Sequence, residues 1–137
     1  MRRFLLVPAL LFVLFVGCSD SQVSQVKQIN ADLAAGLNRA TITVISYTQE
    51  NIITIGEEQE ILPRLADASI LSDQITGCTN AVKANDTLRG CVAPLLTALN
   101  EDINAATLGI KSDGARASFG AVLKGLSNLV TQIAEVN

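Results

Sequence analysis

After the first twenty residues, apolar side chains recur at intervals of three and four along almost the whole chain. This spacing places them on one face of an α-helix, whereas a half-buried strand would alternate at every second residue. The pattern breaks at three places, which predicts four amphipathic helices. Short connections between such helices favour an all-α fold, an up-and-down bundle of about four helices around one core. The 137-residue chain is 49% hydrophobic, too apolar for disorder and long enough for one such domain.

The breaks between the predicted helices coincide with residues that favour turns or helix ends. Gly56 and Pro63 bracket the first break, and Pro63 suits the first position of the second helix. Asp86 suits the N-cap of the third helix. Pro94 lies inside the third helical pattern, so that helix must start near it or kink there. The last turn is predicted at 112–114, where the sequence is Ser-Asp-Gly.

The segment 41–55 has two interpretations because it is rich in threonine, isoleucine and valine, whose branched side chains favour strands. One is a β-hairpin, and the other is a continuation of the first helix. Alternation along the segment is poor for a strand. Four isoleucines instead share one helical stripe: Ile42, Ile45, Ile52 and Ile55. We therefore favour a first helix that runs from about Ser21 into the fifties.

The beginning of the chain has the pattern of a secretory signal. Arg2 and Arg3 precede thirteen uncharged residues, 4–16. This run is shorter than the roughly 20 apolar residues that a transmembrane helix needs. It therefore fits the hydrophobic region of a signal peptide better than a membrane span.

The end of this run, 15–18, reads Phe-Val-Gly-Cys and resembles the lipobox of bacterial lipoproteins, in which a small residue precedes a cysteine that receives diacylglycerol. The resemblance covers this segment alone, and Phe15 stands where the family usually has an aliphatic residue. It implies that 1–17 are a signal peptide, that Cys18 is lipidated, and that 18–137 form the anchored domain. The alternatives are a secretory leader cleaved nearby without lipidation, and a retained membrane anchor.

The resemblance also implies a location. In Gram-negative lipoproteins, aspartate directly after the lipidated cysteine favours the inner membrane, and here that residue is Ser19. The resemblance thus favours the periplasmic face of the outer membrane. From Cys18 onward the chain has 8 basic and 13 acidic residues, a net charge of −5, so anionic headgroups would repel it. Attachment is expected through acyl chains on Cys18 and not through a basic patch.

The three cysteines are expected to have two different roles, one as a lipidation site and two as a disulfide pair. If Cys18 carries lipid, Cys78 and Cys91 remain as a pair in a compartment that permits disulfides. The polar stretch 84–87 lies midway between them, and a chain that folds back there as two antiparallel helices brings the two cysteines together. We predict a structural disulfide. The alternative is a free or redox-active pair, although the pair does not have CxxC spacing.

Composition excludes several classes of function. The sequence has no histidine, which excludes Ser-His-Asp and Cys-His catalysis and histidine-bearing zinc sites. A net acidic chain with four Phe and one Tyr lacks the basic, aromatic surface that nucleic acids need. Glu57, Glu58 and Glu60 could serve acid–base chemistry or bind a cation, but we interpret them as a solvated connection before the second helix. We predict no enzyme activity, no metal site and no cofactor.

A binding surface remains as the predicted function, and the first helix is its predicted place. The polar positions of this helix are rich in Gln, Asn, Thr and Ser and poor in charge, so a partner could cover them at modest desolvation cost. The residues predicted to form this face are Gln25, Asp32, Arg39 and Ser46. In the fourth helix, Gly120, Ala121 and Gly125 are expected to let it approach a neighbour closely.

In size and plan the predicted bundle is similar to the pilotins, small helical lipoproteins that escort secretin subunits to the outer membrane; the similarity is one of architecture. It implies a non-enzymatic envelope lipoprotein that binds or assembles another envelope protein. Three other functions stay open: a self-associating structural lipoprotein, a phage- or plasmid-encoded lipoprotein that masks a receptor, and a small envelope enzyme that uses carboxylates alone.

Overall fold

A computed structural model describes residues 18–81 and 85–136, except for the side chains of 18–21, 85–87 and 107. The predicted signal peptide, 1–17, lies outside the described residues. Four helices make up nearly all of the described chain, and no strand occurs in it. They are α1 (Cys18–Gln49), α2 (Ile55–Ala81), α3 (Asn85–Leu108) and α4 (Asp113–Val136).

Each helix packs against the next one along the chain, and α1 also packs against α4. The diagonal contact between α1 and α3 is much smaller. Four antiparallel helices with short connections therefore close into a square, which is the up-and-down bundle that the periodicity predicted. The apolar stripes meet inside it, where Phe119 is among the largest completely buried side chains.

The first helix ends at Gln49, several residues earlier than predicted, and the β-hairpin alternative is wrong. Asn51 adopts a left-handed conformation with φ 58°. The N–H of Ile52 then donates to the carbonyl of Tyr47 (2.8 Å), and the N–H of Asn51 donates to that of Thr48 (3.1 Å). This pair of hydrogen bonds is a Schellman motif, which stops a helix by satisfying its last carbonyls.

The second helix starts at a capping box and not at Pro63. The backbone N–H of Thr54 donates to a carboxylate oxygen of Glu57 (2.7 Å), and the N–H of Glu57 donates to the Thr54 hydroxyl (3.2 Å). This reciprocal pair satisfies two of the unpaired N–H groups at a helix start. Pro63 lies inside α2 on its exposed side, where water can reach the carbonyl that loses its partner.

The third helix begins at Asn85, next to the predicted N-cap Asp86, whose side chain is outside the description. Of the two alternatives for Pro94, a start there is wrong, because the helix runs through this exposed residue. The fourth begins at Asp113, so the last turn is 109–112 and lies earlier in the chain than the predicted 112–114. The carbonyl of Ser112 accepts the N–H of Arg116 at 2.8 Å, which makes Ser112 the last residue before α4.

The predicted disulfide between Cys78 and Cys91 is present and links α2 to α3. Their Cα atoms are 5.9 Å apart, within the range that a disulfide spans without backbone movement. Cys78 is buried, whereas Cys91 is exposed. The two cysteines are 13 residues apart in sequence. For a loop of similar size, chain entropy predicts a stabilisation of about 3 kcal/mol.

A buried amide also links α1 to α2. Asn30 is 3% exposed, and its amide nitrogen donates to the backbone carbonyl of Ser72 and to the hydroxyl of Thr76, both at 2.9 Å. The Ser72 hydroxyl donates to the amide oxygen of Asn30, again at 2.9 Å. The amide is thus fully hydrogen-bonded, and sliding one helix along the other would break all three bonds.

Candidate functional site

The antiparallel order of the helices gives the bundle two different ends. The proximal end contains the start of α1 at Cys18, the facing ends of α2 and α3, and the disulfide. The distal end contains the turns 50–54 and 109–112. Because an α-helix rises 1.5 Å per residue, α1 separates Cys18 from the isoleucines near its other end by about 36–40 Å.

Four isoleucines at the distal end are exposed; we call them the distal isoleucines. Their exposed fractions are 58% for Ile42, 39% for Ile45, 41% for Ile52 and 67% for Ile55. Ile42 and Ile45 lie on α1, Ile52 lies in the turn and Ile55 starts α2, so the single helical stripe predicted for the four is wrong. The core stripe of α1 runs through Leu33, Leu37, Ala40 and Val44. Sequence analysis missed this surface, although Ile42 and Ile45 visibly fall outside the core stripe of the same helix.

Glu57 has a structural role at the distal end, and its interpretation as part of a solvated connection is wrong. Glu57 is buried, with 5% of its surface exposed. One carboxylate oxygen accepts the N–H of Thr54, and the other accepts the N–H of Lys111 at 2.6 Å. These backbone hydrogen bonds, that from Thr54 first, lower the pKa of Glu57 below its usual value, and burial opposes them. Glu60 is exposed and Glu58 is half-buried.

The face predicted on α1 lies along the groove between α1 and α4, which we call the α1–α4 groove. This groove has a volume of about 440 Å³. Asp32 and Arg39 line it, and both are exposed. Gln25 is exposed on the same side of α1, while Ser46 is half-buried and donates to Glu50 at 3.0 Å. The structure thus brings two of the four predicted residues into one concave surface.

Small residues allow α1 and α4 to approach each other, but not at the predicted glycines. A Cβ atom at Gly36 would lie 2.5 Å from Cδ2 of Leu126, so Leu126 occupies the space that the glycine leaves. At Gly120 and Gly125 an added Cβ would meet nothing within 4 Å. The close approach therefore depends on Gly36 in α1, and the expectation for the two glycines of α4 is wrong.

The described part of the chain was also searched for metal-binding groups and for membrane-spanning helices. Within it, no group of three or more carboxylates and cysteines is placed to hold a metal ion. None of the helices in this part has the length and apolar character of a membrane span. Cys18, the predicted lipidation site, is the first residue of α1, and its side chain is outside the description.

Comparison of the chain with protein-family models, with curated proteins and with solved structures gave no match.

Proposed function

We propose that the protein is a non-enzymatic envelope lipoprotein, anchored through lipid on Cys18, that binds another envelope protein through the distal isoleucines. The exposure of these four side chains carries the proposal. Ile42 and Ile45 are neighbours on one face of α1, and Ile52 and Ile55 lie in and directly after the turn that follows it. Exposed apolar surface in soluble proteins usually binds proteins. The pilotin-like plan supports the same class of function by analogy of architecture.

The position of the distal isoleucines suits a protein attached at Cys18. The anchor and the binding surface are at opposite ends of α1, about 36–40 Å apart. A lipid at the proximal end leaves the distal end free to meet a partner in the periplasm. Because the four side chains are aliphatic, the partner is expected to present an uncharged apolar surface to them.

Glu57, one of the three carboxylates on which the enzyme alternative depends, has a structural role. Both oxygens of Glu57 accept backbone N–H groups, so this carboxylate is committed to the two distal turns. Neutralising it would destabilise the fold along with any effect on chemistry. The remaining members of the acidic cluster, Glu58 and Glu60, have no ion pair or hydrogen bond among the side-chain contacts of the described residues.

The partner proposal is tested by photo-crosslinking in intact cells. A photoreactive amino acid replaces Ile45 in the full chain, and the attached protein is identified. Replacing Ile42 and Ile52 by asparagine in that chain should abolish the adduct. Ile70, 54% exposed in the middle of α2, supplies the control: Ile70→Asn should leave the adduct unchanged. An adduct that survives both distal substitutions, or no adduct at all, contradicts the proposal.

The anchor is tested separately with Cys18→Ser. Metabolic labelling with a radioactive fatty acid should label the parent chain and not this variant, because the thioether sulfur is removed. Equal labelling of both chains, or labelling of neither, contradicts lipidation at Cys18.

A further inference from the structure

Asp32 and Arg39 are the two charged residues among those that line the α1–α4 groove in the described structure. They are seven residues apart, which is two helical turns and about 10.5 Å along α1. The residues three and four positions away from each of them are uncharged, so α1 provides neither with an ion-pair partner. The described residues contain no salt bridge to either side chain. Two opposite charges are therefore held at fixed spacing without a partner.

The rest of the groove is small or apolar. On α1 its surface consists of Ala35 and Gly36, which lie between the two charges. On α4 it consists of uncharged residues: Val122, Gly125, Leu126 and Leu129. An occupant therefore needs two charges of opposite sign, two turns apart, on an otherwise small or apolar helical face.

We propose that the occupant is a second copy of this chain, bound antiparallel so that α1 of each copy lies in the α1–α4 groove of the other. A copy of α1 carries the required charges at the required spacing. Turned antiparallel, it places its Arg39 beside Asp32 and its Asp32 beside Arg39. A parallel copy in register would place like charges together, so the charges select the antiparallel arrangement.

The sequence around the charges has the symmetry that a two-fold interface requires. In such an interface the same surface is used by both copies, so residue i contacts residue j and j contacts i. Asp32 and Arg39 are centred between Ala35 and Gly36. The smallest side chains thus lie at the two-fold axis, where the two backbones must come closest.

This inference goes beyond the proposed partner binding and uses a different side of α1. Ile42 and Ile45 do not line the α1–α4 groove. A dimer would present one set of distal isoleucines at each end, with the Cys18 end of the other copy beside it. Its long axis would therefore lie along the membrane, so that both lipids can insert. The two ideas therefore fail separately: isoleucine substitutions test the envelope partner, and charge substitutions test the dimer.

The charge pattern is tested by measuring the mass of the full chain, purified in mild detergent, over a concentration series. We expect a dimer. Asp32→Arg and Arg39→Asp should each weaken association at least tenfold, because each places two like-charged pairs in the symmetric interface. The double variant, which exchanges the two charges, should return to within about threefold of the parent. Acyl chains that merely share a micelle would not respond to these substitutions.

The contact at the two-fold axis is tested by disulfide formation in membranes. Ala35→Cys should form an intermolecular disulfide on mild oxidation, because the two copies of this position lie across the axis. Ala34→Cys is the matched control, since Ala34 is also exposed but faces away from the groove. Helical circular dichroism of every variant should equal that of the parent, since the substituted side chains are exposed.

A monomeric chain, a dimer that ignores both charge reversals, or equal crosslinking at positions 34 and 35 overturns the proposal. Crosslinking of Ala35→Cys to a different protein, without a dimer of this chain, also overturns it. That last result would instead favour the prediction from sequence, in which this face of α1 binds another envelope protein.

Discussion

The carboxylate of Glu57 and the backbone N–H of Lys111 are joined by a 2.6 Å hydrogen bond across 54 residues of sequence. The other carboxylate oxygen accepts the N–H of Thr54 at 2.7 Å. One buried side chain therefore caps α2 and also holds the turn between α3 and α4. The guanidinium of Arg116 supports the same turn by donating to the carbonyl of Ile110 at 2.9 Å. The two distal turns form one hydrogen-bonded unit.

Replacing Glu57 by glutamine should lower the free energy of unfolding by about 1–3 kcal/mol at pH 7. A glutamine has one acceptor oxygen, so its NH₂ group would face one of the two N–H donors, and hydrogen bonds to a charged group are lost. Urea denaturation measures the difference. Glu60→Gln, at an exposed position in the same helix, should change stability by less than about 0.5 kcal/mol.

The effect of Glu57 should depend on pH in one direction. Its pKa is lower in the folded protein than in the unfolded chain, because the N–H groups of Thr54 and Lys111 stabilise the carboxylate. Such a group contributes its full stabilisation above the unfolded pKa, about 4.3 for glutamate, and the contribution is lost as pH falls through the folded pKa. The gap in unfolding free energy between the parent and Glu57→Gln should shrink below about pH 4. A gap that stays constant down to pH 3 would contradict this assignment.

Asn30→Asp should destabilise the bundle by about 3 kcal/mol at neutral pH. The new oxygen would face the carbonyl of Ser72, which now accepts from the amide nitrogen, and a charge would be buried between α1 and α2. Asn38→Asp is the control, because Asn38 is exposed on the same helix. Thermal and urea unfolding of both variants at pH 7 should separate them clearly; equal losses would mean that the buried network contributes little.

Reduction of the Cys78–Cys91 disulfide should lower the unfolding free energy by about 3 kcal/mol. The helices should remain, because the core is continuous without the bridge. Urea denaturation with and without reductant measures this loss. Alkylation of the denatured, non-reduced protein should leave both cysteines unmodified, and reaction at both would show that the pair is not bridged in cells.

Gly36→Ala and Gly120→Ala should change stability in opposite directions. Both remove a helix-destabilising glycine, a gain of about 0.5–1 kcal/mol. At Gly36 the new methyl group lies 2.5 Å from Leu126, so a buried leucine must move, at a cost of about 1–3 kcal/mol. At Gly120 the methyl group meets open space. Melting temperatures should therefore fall for the first variant and rise for the second.

The helical class, the number of helices and the disulfide were predictable from sequence because each depends on spacing along the chain. Residues at intervals of three and four share a helical face whatever packs against it. Cysteines placed evenly about a turn meet when two helices fold back on each other. Most of the core stripe of α1 follows the same rule: Val26, Leu33, Leu37, Ala40 and Val44 are all buried.

The ends of the helices were predicted less well, although their signals are local. Asn51 and the spacing of Thr54 and Glu57 are the residues of a Schellman motif and a capping box, and both can be found in sequence. Pro63 was weighted above them because proline favours a first turn. Inside α2 its missing hydrogen bond falls on the exposed side, where water replaces it.

What spacing alone determined is that this chain forms four amphipathic helices and that Cys78 can reach Cys91. Only the packed bundle decided which apolar residues stay outside the core, because a stripe of isoleucines is buried only if a neighbouring helix covers it. The bundle likewise decided that Glu57 reaches Lys111 and that Asp32 and Arg39 line a groove with α4. These relationships join residues far apart in the chain, and their distances depend on how the helices pack.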